Sequence, residues 1–303
     1  MKDNLATHSG DSMYRVLIVG AGYLGSAIAA HFRSEKQRVW AVIRTDKRKS
    51  ALEQMGVIPI VADITRPETL KTVPAAQFIV ICVTPQGDDA AAYHKTYVEG
   101  MGNILGRIKT NAQPSLVVYI SSTGVYGDQG GEWVDEGDTP QPDDLTGDVL
   151  LDAERQVLES ELPVVIYRLG AIYGPSRNWI PAFKRRRWEA KKADRYMNMI
   201  HVEDIVASIP VLFNKGEYEK VYIGVDDEPV LRSEFTQWMN KKLGIKSEDA
   251  ASDISQTKVG GKRCRNTRLK SLGFRFRYPN FRKGYNDLIW HTSRELKNDD
   301  KKS

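Results

Sequence analysis

Gly20, Gly22 and Gly25 are spaced as G-x-G-x-x-G, and no other residues in this chain have types and spacing that imply chemistry so directly. A turn built this way suits a diphosphate. The first glycine makes the tight turn, the second lets backbone approach the pyrophosphate, and the third lets a helix pack closely on the preceding strand. Unpaired N–H groups at the helix's positive end, in the segment carrying Tyr23 and Leu24, would face the phosphates. Folds that bind dinucleotides usually place Asp or Glu about 20 residues past the glycines, on the ribose 2′-hydroxyl. Here Arg44 takes that place, followed by Lys47 and Arg48. A guanidinium there can pair with a 2′-phosphate, which favours NADP. The alternative is NAD, with Asp46 holding the ribose and Arg44 opening a solvated basic helix. Asp63 either contacts the adenine or caps a helix opening near Pro67. Thr84 would lie under the cofactor.

The motif gains its meaning from the elements around it. Val16–Val19 is a short apolar run, as a strand buried on both faces requires, and 26–32 reads as a helix. Further apolar runs follow at 38–43, 57–62, 78–83, 116–120 and 164–169, with helical stretches between them, notably from about Ala90 to Lys109. This alternation predicts an α/β fold, a doubly wound parallel sheet of Rossmann type. Ser121–Gly127 follows the fifth strand, where the carboxyl edge of such a sheet meets its substrate. Residues 128–148 are rich in Gly, Pro, Asp and Thr and read as a long loop, a candidate lid. The pattern divides the chain into a flexible tail at 1–12, a nucleotide-binding domain at 13–175, a smaller C-terminal substrate lobe at 176–290 interleaved with the core, and a polar tail at 291–303. Within the lobe, 233–243 reads as a helix closed by Gly244, and 246–260 as a polar linker.

Composition narrows the function classes. Apolar residues make up 41% and charged residues 27%, as in an ordinary globular protein. No apolar run approaches membrane-spanning length, and the N-terminus lacks a signal-peptide core, so a cytoplasmic address and no membrane partner are expected. Two cysteines, Cys82 and Cys264, can build neither a disulfide framework nor a multi-cysteine metal site. Cys82 reads as inert core, and no metal is expected. The net charge of +5 favours an anionic small-molecule ligand without arguing for nucleic acid. The basic segment at 184–195, interrupted by Trp188, reads either as a solvated helix face or as a clamp for a diphosphate. The tail residues Arg265, Arg268, Arg275, Arg277, Tyr278 and Phe281 fit terminal packing better than RNA stacking. Oligomeric state is not read from these features.

Four stretches taken together resemble a family. GAGYLG at 20–25, YISSTGVYG at 119–127, RLGAIYGP at 168–175 and MIHVEDIV at 199–206 are similar, in that order, to the extended short-chain dehydrogenase/reductases, which include NAD-dependent sugar epimerases and dehydratases. KRCRNTRLKSLGF at 262–274 is similar to their late Lys/Arg-x-x-Asn…Leu-Gly-Phe/Trp segment, so the likeness covers roughly residues 14–290. The resemblance implies a catalytic Ser or Thr followed by Tyr-x-x-x-Lys, with the tyrosine as acid/base and the lysine lowering its pKa. Ser122 takes the Ser/Thr place. The tyrosine falls on Thr146 or Gly147 and the lysine on Leu150 or Leu151, so neither alignment restores the pair. Thr123 and Gly124 stand where the dehydratases carry Asp and Glu. The pattern is therefore similar to atypical members that keep the glycine motif and lack the active-site tyrosine. Tyr126, Tyr173 and His201 are the candidate substitutes, and Ser122 with Tyr126 form the expected catalytic pair. The resemblance implies an NAD(P)-dependent oxidoreductase or epimerase acting on a carbonyl or secondary alcohol, with a nucleotide-linked sugar as substrate class. The rival expectation is a non-catalytic NAD(P)-binding sensor or assembly factor.

Overall fold

The computed structural model describes residues 13–111, 113–186, 188, 194–246 and 259–299, with side chains through residue 291. The expected tail at 1–12, most of the linker at 246–260, and Arg187, Lys191 and Lys192 of the basic segment lie outside the described residues, as do residues 300–303.

Seven strands form one parallel sheet: β1 (Arg15–Val19), β2 (Arg38–Ile43), β3 (Ile58–Val61), β4 (Phe78–Ile81), β5 (Leu116–Ser122), β6 (Val164–Leu169) and β7 (Val221–Gly224). Their spatial order is β7-β6-β5-β4-β1-β2-β3. Every pairing in it is parallel. Because β1 pairs with both β2 and β4, the winding reverses between β1 and β4. A crevice opens at such a switch point, beyond the carboxyl ends of the strands. The glycine turn leads out of β1 into it.

Alternation along β1 builds both cores. Leu17 and Val19 join one buried cluster while Val16 and Ile18 join the other. The first cluster lies under α3 (residues 90–111) and α4 (Leu145–Leu158), through Met101, Ile104, Ile108, Leu150, Ala153 and Val157. Helix α3 is continuous but mixed: the α-helical segments Ala90–His94 and Gly100–Asn111 are joined by a π-helical turn, Lys95–Glu99. The second cluster lies under α1 (Tyr23–Ser34), α2 (Lys49–Gln54) and α5 (Val202–Lys215). Phe213 of α5 stacks on Phe32 at 5.5 Å and on Phe78 at 4.4 Å between centroids. Asp144 caps α4 by accepting the Gly147 N–H at 2.8 Å, and Asp89 caps α3 by accepting that of Ala92 at 2.7 Å.

From Tyr173 onward the chain builds a third cluster, of Tyr173, Ile180, Phe183, Phe235, Phe281 and Tyr285 among others. It joins α6 (Arg232–Leu243) to the long terminal helix α7 (Phe281–Asp299). Between these pieces the chain returns to the sheet as α5 and β7. Of the 128–148 stretch read as a long loop, residues from Leu145 onward belong to α4, and the part before it is hydrogen-bonded to the rest of the chain. Asp128 accepts N–H groups of Gly130 and Gly261, and Trp133–Val134 pairs in parallel with Arg263–Cys264. Glu136 accepts the Ile223 N–H and Arg268 donates to the Val221 carbonyl, so both cover the open edge of β7.

Candidate functional site

A cleft of about 320 Å³ opens at the switch point. Its floor is the glycine turn, and its walls are the carboxyl ends of β2, β3 and β4 and the segments that follow them. Gly20 has φ +98°, and a Cβ on it would lie 2.8 Å from the Cys82 carbonyl oxygen, so only glycine fits this turn without strain. A Cβ on Gly25 would lie 2.0 Å from the Gly20 carbonyl oxygen, which fixes how closely α1 approaches β1. A Cβ on Gly22 would meet nothing within 4 Å, so the space above that residue is open. Helix α1 begins there with no side-chain cap and no acidic residue in its first turn. The N–H groups of Gly22, Tyr23 and Leu24 have no acceptor among the described hydrogen bonds. Unsatisfied donors under open space, at the positive end of a helix, fit a diphosphate.

Of the residues expected to hold a cofactor, Gly20, Gly22, Arg44, Asp63 and Thr84 line this cleft. The side chains of Tyr23 and Leu24 do not, and neither does Gly25. The Tyr23 hydroxyl donates to the Pro175 carbonyl at 2.8 Å, and Arg177 lies over its ring at 5.8 Å. Leu24 is core. Tyr23 and Leu24 thus supply unpaired N–H groups at the start of α1 rather than cleft-lining side chains, and Gly25 contributes by close packing. Arg44, Lys47 and Arg48 bring three cations to one wall, while Asp46 is absent from it. Arg48 donates to the Ala21 carbonyl at 2.9 Å and to Ser26 Oγ at 3.1 Å, which ties the basic segment to the glycine turn. Asp63 caps no helix. Its Oδ1 accepts both the N–H and the hydroxyl of Thr65 at 2.9 Å, which holds the carboxylate at the cleft. Cys82 sits beneath the turn, half-buried and lining the cleft rather than enclosed in the core, its thiol donating to the Gly20 carbonyl at 3.0 Å and pushed up to about 12 by burial. Thr65, Gln86 and Thr96 also line the cleft and carry no motif that sequence reading could have picked out.

Ser122 ends β5, one strand over from β4, outside the residues lining the cleft. Its Oγ accepts the Gly124 N–H at 3.0 Å, which holds the side chain at the sheet's carboxyl edge. Tyr126 points into the protein instead. It is 1% exposed; its hydroxyl donates to the Asp135 carbonyl at 2.8 Å and accepts from Arg168 at 2.8 Å. Burial pushes that phenol up to about 12 despite the guanidinium. Arg168 also forms a buried ion pair with Glu154 of α4 (Nη2 to Oε2, 2.6 Å), and Ser121 donates to the same carboxylate at 2.6 Å. Tyr126 thus belongs to a buried network joining β5, α4 and β6.

The other two candidate substitutes are equally enclosed. Tyr173 stacks on Tyr285 at 5.0 Å, and burial raises its hydroxyl far above the ordinary range. The His201 Nδ1 accepts the Glu203 N–H at 3.3 Å, capping α5, and its ring packs 4.0 Å from that of Tyr278. Burial, with Arg277 nearby, lowers its pKa to about 4 and keeps the imidazole neutral. Helix α4 presents Thr146, Gly147, Leu150 and Leu151 where the resemblance expects the tyrosine and lysine; Gly147 and Leu150 are buried.

At the third cluster, the Trp188 ring packs on Phe183 at 5.0 Å, and its indole N–H donates to Thr236 at 2.8 Å. Arg195 pairs with Asp128, Arg277 with Glu203, and Arg265 lies over Trp133 at 4.6 Å. The aromatic and basic tail is used largely to pack the end of the chain onto the fold. Among the described residues, no helix is long and apolar enough to cross a membrane.

Comparison with known proteins agrees with this geometry. The sequence model of the NAD dependent epimerase/dehydratase family matches residues 16–224. A solved structure described as a candidate NAD-dependent epimerase/dehydratase from Methylobacillus flagellatus is 30% identical and covers 93% of this chain and 100% of its own, with a TM-score of 0.79. Protein YeeZ of Escherichia coli strain K12 is 25% identical over 279 residues, 88% of this chain and 97% of YeeZ. MoeE5, solved in complex with UDP-glucose and NAD, shares the fold at 22% identity and a TM-score of 0.74, over 93% of this chain and 99% of its own.

Proposed function

The chain belongs to the NAD dependent epimerase/dehydratase family, and from that premise we propose an oxidoreductase or epimerase that uses NADP in preference to NAD. Its substrate is a carbonyl or secondary alcohol, and a nucleotide-linked sugar is the class suggested by the UDP-glucose bound to MoeE5. The observation that carries the cofactor reading is the cleft wall with three cations, Arg44, Lys47 and Arg48, and no carboxylate from Asp46. The 2′-phosphate would meet those cations, the diphosphate the N–H groups at Gly22–Leu24, and the adenine the Asp63 turn. When bound, a nicotinamide supplies hydride exchange. Ser122 keeps its hydroxyl proton while its Oγ accepts from Gly124, so it can donate to a substrate oxygen and orient it. A serine without an activating base is a poor base, so proton transfer to the substrate oxygen falls to water or to a substrate group.

Turnover tests this reading. At least one member of a panel of carbonyl compounds and nucleotide-linked sugars should either oxidise NADPH or be epimerised with the cofactor bound. Ser122→Ala should lower kcat by about 10- to 100-fold, as loss of a positioned hydrogen bond in the transition state does, with cofactor affinity unchanged. Binding of the cofactor with neither NADPH oxidation nor epimerisation of any panel member contradicts the enzymatic reading. It would favour the second one, a non-catalytic cofactor-binding protein, whose support is the enclosure of Tyr126, Tyr173 and His201.

A further inference from the structure

We propose that Lys262 is a specificity-determining residue, a cation that holds a carboxylate carried by the sugar of the substrate; the inference rests on the nucleotide-linked sugar reading above and narrows it to an acidic sugar. Strand pairing places the residue. Arg263–Cys264 runs parallel to Trp133–Val134, so side chains here alternate between two faces. Arg263 takes one face, over the rings of Trp133 and Tyr196 at 4.9 and 5.0 Å. Lys262 and Cys264 take the other, against the turn that runs from Ser122 to Gly127. The Cys264 thiol lies within hydrogen-bond reach of Thr123, and Lys262 Nζ donates to the Gly127 carbonyl at 2.8 Å. Asn198 fixes the backbone, donating to the Lys262 carbonyl at 2.8 Å and accepting the Cys264 N–H at 2.7 Å.

The bond to Gly127 uses one of three ammonium N–H groups. The other two have no partner among the described residues, and no described carboxylate lies within ion-pair distance of the nitrogen. Lys262 is half-buried, and burial lowers its pKa although Asp143 and Asp128 oppose the shift. Asp128 is engaged by the N–H groups of Gly130 and Gly261 and by Arg195 at 3.3 Å, while Asp143 is exposed. An ammonium withdrawn from water without a counter-ion costs stability, and an anionic ligand offsets that cost. Ser122, also half-buried, begins the turn that Gly127 ends. A 3₁₀ turn rises about 2 Å per residue, so its two ends stand about 10 Å apart, the reach of one sugar ring with a hydrogen bond on each side. With Ser122 on the reacting oxygen, Lys262 meets a group on the same sugar rather than the diphosphate beyond it.

Calorimetric titration of the full chain, saturated with NADPH, with UDP-glucuronic acid and with UDP-glucose tests the assignment in wild type, Lys262→Met and Lys262→Arg. Wild type should bind UDP-glucuronic acid about ten- to a hundredfold tighter, as one hydrogen bond between charged groups provides. Lys262→Met should lose that preference and keep its affinity for UDP-glucose, while Lys262→Arg retains the preference. NADPH affinity, equal in all three, reports that the variants fold. Equal affinity of wild type for the two sugars overturns the assignment, as does a preference that survives in Lys262→Met. Equal weakening of both sugars in Lys262→Met also overturns it, because Lys262 would then hold the turn or the nucleotide instead. A wild type that binds NADPH and neither sugar overturns the nucleotide-linked sugar reading, and this assignment with it.

Discussion

Arg44, Lys47 and Arg48 differ in how they are held, and that difference decides what each can do for a ligand. Arg48 is committed through Nη1 to the glycine turn, whereas Arg44 is exposed at the mouth of β2 and has no described hydrogen bond or ion pair. Arg44 and Lys47, both exposed and without a described hydrogen bond or ion pair, are thus the cations free to follow a 2′-phosphate. Arg44→Ala should weaken NADPH by about 1–3 kcal/mol, the worth of a charged hydrogen bond, and leave NADH nearly unchanged; equal weakening of both, measured by fluorescence titration, would remove Arg44 from that role. The residue scale is also where sequence reading was least complete. Gly20, Gly22 and Arg44 were legible because their types and spacing carry a physical reason. Thr96 was not, because its place depends on a π turn that leaves no mark on composition. Tyr126 stood in an informative motif, but only packing shows that its hydroxyl is turned toward Arg168 and Asp135.

Strands β1, β2 and β6 match the apolar runs that predict them, since a strand covered on both faces has little room for a polar residue. Strand β7 and helices α5 and α7 escaped such a reading. Strand β7 is short and lies at the edge, α5 contains Pro210, and α7 mixes charge with its buried aromatic residues. What joins the elements is as much polar as apolar. The Arg168–Glu154 pair is almost fully enclosed, with side chains 5% and 2% exposed. It draws in Ser121 and Tyr126 and so fixes α4 against the ends of β5 and β6. Breaking one side of the pair leaves a buried charge without its counter-ion. Glu154→Gln should therefore cost about 3–5 kcal/mol of stability in urea unfolding. A loss below about 1 kcal/mol, the level of an exposed pair, would show that the network is not the clamp described here.

For the whole molecule, His201 couples the sheet to the third cluster through Tyr173. It caps α5, and its ring packs edge-on to Tyr173 and tilted against Tyr278. Its folded pKa of about 4 lies below the ordinary 6.5 because burial excludes the charged form. The stability this contributes is complete above pH 6.5 and is lost as pH falls toward 4, where the unfolded chain takes up a proton that the folded chain refuses. The full effect is about 3 kcal/mol at 1.36 kcal/mol per pH unit. Urea midpoints should drop between pH 7.5 and 5, and His201→Asn, which keeps a capping acceptor without titrating there, should flatten the drop; an equal slope in the variant would assign it to other groups. The account as a whole depends on a dinucleotide seated where β1 gives way to α1. Isothermal titration of the purified chain with NADPH and then NADH measures that directly. Saturable binding near one equivalent per chain, tighter for NADPH, is the result expected, and no heat of binding with either nucleotide would contradict the account at its base.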